Sequence, residues 1–181
     1  RINPSLKGDG WIAEKFDKAR QLNKPAQLLS LYFCLFIYLL EADENEQFIH
    51  RLNMPTKISR VLRDTLHLKS QLPFLDKPFL KPSEIYYSLR EYAPLAVQAN
   101  AIATESSTVH SYLQLFLARL RYVKTLLNGE GLQELGISAG PELGKILQAL
   151  HKAKLDGEVN TKADEEKLAL SLRHQNYNGE R

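Results

Sequence analysis

Residues 28–40, LLSLYFCLFIYLL, form an uninterrupted run without a single charged side chain. The run is 13 residues long, short of the roughly 18–20 that a bilayer-spanning helix needs. It is expected to be a central helix buried all round, with the rest of the chain wrapped about it. With 181 residues, 44% of them hydrophobic, the chain can build that core in one domain or in two small packed subdomains. Cys34 is the single cysteine and lies inside the run. It excludes an internal disulfide framework, reads as a buried thiol rather than a nucleophile, and suits a reducing compartment, most simply the cytoplasm.

The wrapping is read as helical, because apolar residues recur at steps of three and four and hairpin-bounded alternation is missing. Trp11, Ile12, Phe16 and Ala19 stripe a first helix. Asn23 can cap the next, with Pro25 in its first turn and its end near Ala42. A short helix spans 44–52, and another opens at Pro55 or Thr56 with Ile58, Val61, Leu62, Leu66 and Leu68 apolar. The segment LPFLDKPFLKP, with three prolines, reads as a loop or single turn. Ser83 is placed to cap a helix ending before Pro94, and Pro94 opens an alanine-rich helix through Ala103. Val109, Tyr112, Leu113, Phe116, Leu117, Leu120, Val123 and Leu127 predict one long helix stopped by Asn128 and Gly129. Pro141 starts a helix to about Leu155, Thr161 a last charged one, and residues 176–181 read as a frayed tail. The expected fold is all-α, an irregular array of about eight to ten helices, divided into a body at 1–128 and a tail at 129–181.

Catalytic chemistry is missing from this pattern. His50, His67, His110, His151 and His174 are scattered singly, so a zinc site is not expected. The acidic stretches at 41–47 and 163–167 sit at helix starts, where carboxylates favour the dipole, and read as solvated caps. No phosphate-binding loop or strand-borne glycine fingerprint occurs. Neither a catalytic nor a metal-ligating residue is assigned.

What stands out is LQELGISAGPELGKIL, residues 132–147. A helix, a turn of small residues and a second helix make a helix-hairpin-helix-like element near the C-terminus. The amides at the second helix's start, Gly140, Pro141 and Glu142, form an entrance suited to an anion, with Pro141 pre-setting the first helical φ. Gly140 removes side-chain cover, and Gly144 allows a second backbone to approach. Lys145, Gln148 and Lys152 lie on one outer strip, with His151 and Lys154 flanking it, while Leu143, Ile146, Leu147 and Leu150 face inward. Arg119, Arg121 and Lys124 are expected in the last two turns of the preceding helix. Such clustering fits a surface that follows phosphates, although glycine caps and close helix packing would use the same glycines. The net charge of +3 and isoelectric point near 8.9 are mildly basic, so the distribution of charge carries more weight than the total. Lys57, Arg60 and Arg63 read as an ordinary solvated face.

Residues 126–170, LLNGEGLQELGISAGPELGKILQALHKAKLDGEVNTKADEEKLAL, resemble the C-terminal segment of the class II tRNA nucleotidyltransferase and poly(A) polymerase family, the CCA- or A-adding enzymes. Gly129, Leu132, Gly136, Gly140, Pro141, Ile146, Leu147, Leu155, Asp156, Gly157 and Glu158 carry the likeness. Upstream, LNMPTKISRVLRDTLHL and KPSEIYYSLREYAPLAVQANA are similar to the helical middle of the longer bacterial type. The resemblance implies that this chain is the C-terminal piece of a longer protein whose separate head carries the transfer site. For that head it implies Mg2+ and ATP or CTP; for this piece it implies no cofactor, a structured RNA partner such as tRNA, and no membrane. The expected RNA contacts are Gly140, Pro141, Glu142, Gly144, Lys145, Gln148, Lys152 and Arg121, meeting a duplex through phosphates and 2′-hydroxyls. Two other readings stand beside it. The tyrosines 86, 87 and 92 and the YFCLFIY run could serve a protein-interaction or homodimerisation module, or pack in the core. The hairpin alone also allows a DNA-repair module.

Overall fold

The computed structural model describes the backbone of residues 10–22 and 25–178 and the side chains of residues 10–21 and 28–173. The proposed cap Asn23, the side chain of His174 and the last three residues of the chain lie outside these. Among the described residues every regular element is helical: α1 (Gly10–Leu22), α2 (Pro25–Ile37), α3 (Ala42–Arg51), α4 (Thr56–Leu75), α5 (Pro82–Leu89), α6 (Pro94–Ala103), α7 (Ser107–Ala118), a 3-10 turn (Leu120–Tyr122), α8 (Gly129–Glu134), α9 (Pro141–Leu155) and α10 (Lys162–Asn178). None of these helices is long and apolar enough to cross a membrane. The chain divides into two compact units, Arg1–Leu80 with Tyr87–Ala118, and Lys81–Tyr86 with Arg119–Arg181.

In the first unit α2 packs against α1, α4 and α6, and Leu31, Cys34, Leu35 and Ile37 are fully buried there. Tyr32, Phe33, Phe36 and Tyr38 pack around the same cluster. The helix is not buried all round, however: Leu29 is exposed, and the helix ends at Ile37, five residues before the predicted stop. Leu39 and Leu40 turn back through bonds to the carbonyls of Phe36 and Ile37, and α3 starts at once through a reciprocal cap between Glu41 and Glu44. A capping box satisfies two amides that the start of a new helix leaves without intrahelical partners.

Helix α4 runs through Pro73 to Leu75, so the start of the proline-rich segment, expected as a loop or single turn, continues the helix before it. Buried Leu62, Thr65, Leu68, Leu72 and Leu75 continue one stripe at steps of three and four. Burying the last two leucines offsets the one helical bond Pro73 cannot make. Asn100 of α6 is buried, and its side-chain amide donates to the carbonyls of Thr65 (3.0 Å) and Ala96 (2.9 Å). Nearby, Lys15 of α1 is buried with its ammonium 2.9 Å from Glu105. Around α4, Arg63 makes a bidentate pair with Glu46 at 2.7 Å and Arg60 lies beside Asp64. Those cations on the solvated face already have acidic partners.

Burial pushes the Cys34 thiol up to about 11, far from the range in which a thiolate forms at neutral pH. The native chain should therefore resist a thiol reagent at pH 8. Ellman's assay is expected to register Cys34 only after denaturant is added.

Candidate nucleic-acid interface

The second unit is organised on a small core of Leu127, Leu132, Ile137, Ile146, Leu150 and Ala169, with Leu135, Leu143, Leu147, Leu168 and Leu172 packed on it. Helix α8 starts at Asn128, whose side chain accepts the amide of Gly131 at 2.9 Å. It stops in a Schellman arrangement: Gly136 (φ 81°) donates to Gln133 and Ile137 donates to Leu132. Burial of both Ile137 and Leu132 supplies the apolar contact that accompanies this cap. A side chain at Gly136 would meet the Arg173 guanidinium at 3.2 Å, and that group also reaches the carbonyl of Leu135.

Ser138, Ala139 and Gly140 are exposed, and α9 begins at Gly140 (φ 152°) with Pro141 in its first turn. No side chain caps this start. A Cβ at Gly140 or at Gly144 would meet nothing within 4 Å. Gly144 is therefore not explained by helix packing among the described residues. Lys145, Gln148 and Lys152 are all exposed on one side of α9, while Ile146 and Leu150 are buried on the other. Gly140, Pro141, Glu142, Gly144, Lys145, Gln148 and Lys152 thus share one helix and its entrance.

The flanking groups behave differently from expectation. His151 faces the carbonyl of Val123 at 3.2 Å and the ring of Tyr86 at 4.8 Å. Lys154 donates to the carbonyl of Asn160 at 2.8 Å and lies 3.3 Å from Glu165. Both side chains are spent inside the unit. The long helix predicted from Val109 to Leu127 does not form: it ends at Ala118, breaks at Arg119 and passes through the 3-10 turn. Arg121 therefore stands on that turn, with its guanidinium 4.9 Å from the Tyr122 ring, and not on a helix ending. Asn128 opens α8 where it was expected to close the helix before it.

Just before Asn128 the backbone is held by Glu165, one position past a true cap. Asp164 accepts the amides of Asn160 and Thr161 while Thr161 accepts the Asp164 amide, and these bonds hold the Asp164 carboxyl below its ordinary value. Glu165 is instead fully buried and accepts the amides of Leu126 and Leu127, each at 2.8 Å. Read as a solvated cap in the sequence, it is the internal anchor of the loop that leads into α8. The same unit contains Ser83, whose amide and hydroxyl both donate to Asp156 at 2.8 Å. Ser83 sits inside α5 and does not cap it; Glu84 accepts the amide of Lys81 there.

With this geometry in place, comparison with known proteins adds one relative. Over 93 residues, 51% of this chain, the sequence is 34% identical to the A-adding tRNA nucleotidyltransferase of Geobacter sulfurreducens. The match spans 11% of that protein, so the chain corresponds to a small part of its length. No family model matches the sequence, and no solved structure matches it significantly. At a coarse level the similarity agrees with the resemblance carried by residues 126–170.

Among the described residues no group of three or more His, Cys, Asp or Glu side chains is placed to hold an ion. Asp156, Asp164 and Glu165 accept bonds from the protein.

Replacing Glu165 by alanine would leave the amides of Leu126 and of buried Leu127 without their acceptor and Lys154 without its counter-charge. The expected loss is about 3 kcal/mol of unfolding free energy, measurable by urea denaturation of the full chain, with Glu165→Gln losing less.

Proposed function

We propose that this chain is an RNA-holding helical region of a tRNA nucleotidyltransferase, with the entrance of α9 as its contact surface. The observation that carries the reading is the pairing of an uncovered helix start with an exposed strip. Gly140 and Gly144 face open space, and Lys145, Gln148 and Lys152 follow on the same side. The positive end of the helix dipole and its first amides favour an anion. Two lysines spaced along the axis extend that preference to a row of phosphates. Gly144, which the fold does not require, leaves room for a sugar-phosphate backbone to lie against the helix. The similarity to an A-adding tRNA nucleotidyltransferase makes structured RNA, tRNA above all, the natural anion.

In this reading the chain does no chemistry. It binds and orients RNA so that a head outside these residues adds nucleotides to the 3′ end, with Mg2+ and ATP or CTP as that head's requirements. Holding the acceptor in place lowers the entropic barrier to the transfer. Recognition would follow shape and phosphate spacing rather than base edges.

Binding of the full chain to an unmodified tRNA transcript is expected to fall steeply between 50 and 200 mM salt. The double reversal Lys145→Glu/Lys152→Glu should weaken it at least tenfold at low salt without changing the thermal midpoint by more than a few degrees. A DNA duplex of matched length should compete poorly. Equal affinity of the double variant and the parent in a filter-binding titration removes the proposal.

Gly144 gives an independent check. Gly144→Ala fills open space on an exposed helix and should stabilise the fold by up to about 1 kcal/mol. Gly144→Leu should leave folding intact yet lower tRNA affinity, because the bulk lies where the RNA backbone is proposed to pass.

A further inference from the structure

Between α9 and α10 lies a cleft of about 300 Å³ whose lining residues all belong to the second unit. Ala149 and Ala153, one turn apart on α9, share it with Leu168 and Leu172, one turn apart on α10, and the short alanine side chains leave the gap open. Its charged lining is Lys81, Lys152, Asp156 and Glu158. Lys152 stands one turn before Asp156, a spacing at which opposite charges ordinarily pair. Ser83 takes Asp156 instead, its amide on Oδ1 and its hydroxyl on Oδ2, each at 2.8 Å. Among the described residues neither lysine ammonium has an ion-pair partner, and the Glu158 carboxylate accepts no hydrogen bond. All three side chains are exposed, so their charges are open to a solute.

We propose that this cleft binds one nucleoside monophosphate unit, as a free nucleotide or as an unpaired residue of an RNA strand. The choice of a nucleotide rests on the RNA reading above, and the cleft shares Lys152 with the strip on α9. Each part of the lining has its counterpart in that occupant. The two ammonium groups suit a phosphate, the alanines and leucines suit the face of a base, and the Glu158 carboxylate can accept ribose hydroxyls. Two cations with two carboxylates sum to no net charge, which favours a single phosphate over a polyphosphate. Inorganic phosphate leaves the apolar floor and Glu158 unused, and a bare nucleoside leaves the lysines unused. A volume of about 300 Å³ stands at the lower end of small-molecule sites, roughly 300–1,000 Å³. A protein helix, about 10 Å across, does not enter it.

The test is calorimetric titration of the full chain with AMP, adenosine and inorganic phosphate. AMP is expected to bind roughly tenfold or more tightly than either of the others. Lys81→Ala should weaken AMP about tenfold, as loss of one charged contact does, and Ala149→Leu, which fills the floor, should abolish binding. Both variants should melt within a few degrees of the parent, and Lys81→Ala decides the matter alone if Ala149→Leu does not fold. Filter binding of a tRNA transcript then identifies the source. Ala149→Leu weakens it if the nucleotide belongs to the RNA and leaves it unchanged if the nucleotide is free. If AMP binds no better than phosphate, or if Lys81→Ala binds it as the parent does, the cleft is not a nucleotide site. The RNA reading survives that result as long as Lys145→Glu/Lys152→Glu still loses tRNA. If AMP binds and Lys81→Ala weakens it while the parent binds no tRNA, the RNA reading falls and the cleft stands as a site for free nucleotide.

Discussion

The second unit depends on one buried carboxylate. Glu165 reaches from the first turn of α10 to take the amides of Leu126 and Leu127, with Lys154 beside it. A buried carboxyl is tolerable only when bonded; both amides go to Oε2, and Oε1, which accepts no hydrogen bond, has the Lys154 ammonium 3.3 Å away. The bonds hold the backbone at Leu126 and Leu127, directly before Asn128, where α8 starts. From that start, the α8 cap, the Gly136 turn and the α9 entrance follow in order.

The hairpin is built so that its two halves differ in cover. The exit of α8 is closed by three things together: the Schellman bonds, the Leu132–Ile137 contact and the Arg173 guanidinium. The entrance of α9 has none of these. In the proposed function, closing one end and leaving the other open confines anion affinity to a single place. It also gives the neighbouring lysines something definite to extend.

Much of this was legible in the sequence where local chemistry decides the outcome. Pro141 and the glycine before it fix the start of α9, and Gly136 with Ile137 closes α8, because each acts within a few residues of itself. The acidic run at 163–167 was legible only in part. Asp164 is the expected cap, but nothing local distinguishes it from Glu165, whose partners lie 38 and 39 residues away. Leu120 and Leu127 keep helical spacing and are buried, yet the amides of Leu126 and Leu127 go to Glu165 and not to a helix ladder. Pro73 misled in the opposite sense, since a proline near a helix end yields to the burial of Leu72 and Leu75.

The Ser83–Asp156 pair has a bearing on how this molecule can be dissected. Asp156 closes α9, while its two donors come from a six-residue piece, Lys81–Tyr86, that enters the second unit from far upstream. The unit is thus not a contiguous stretch of gene. A clone beginning at the body–tail boundary drawn from the sequence would omit that piece and strand a half-buried acid and the face of His151. Excising the unit intact calls for a rewired order of segments, with 81–86 spliced to 119–181 by an artificial linker.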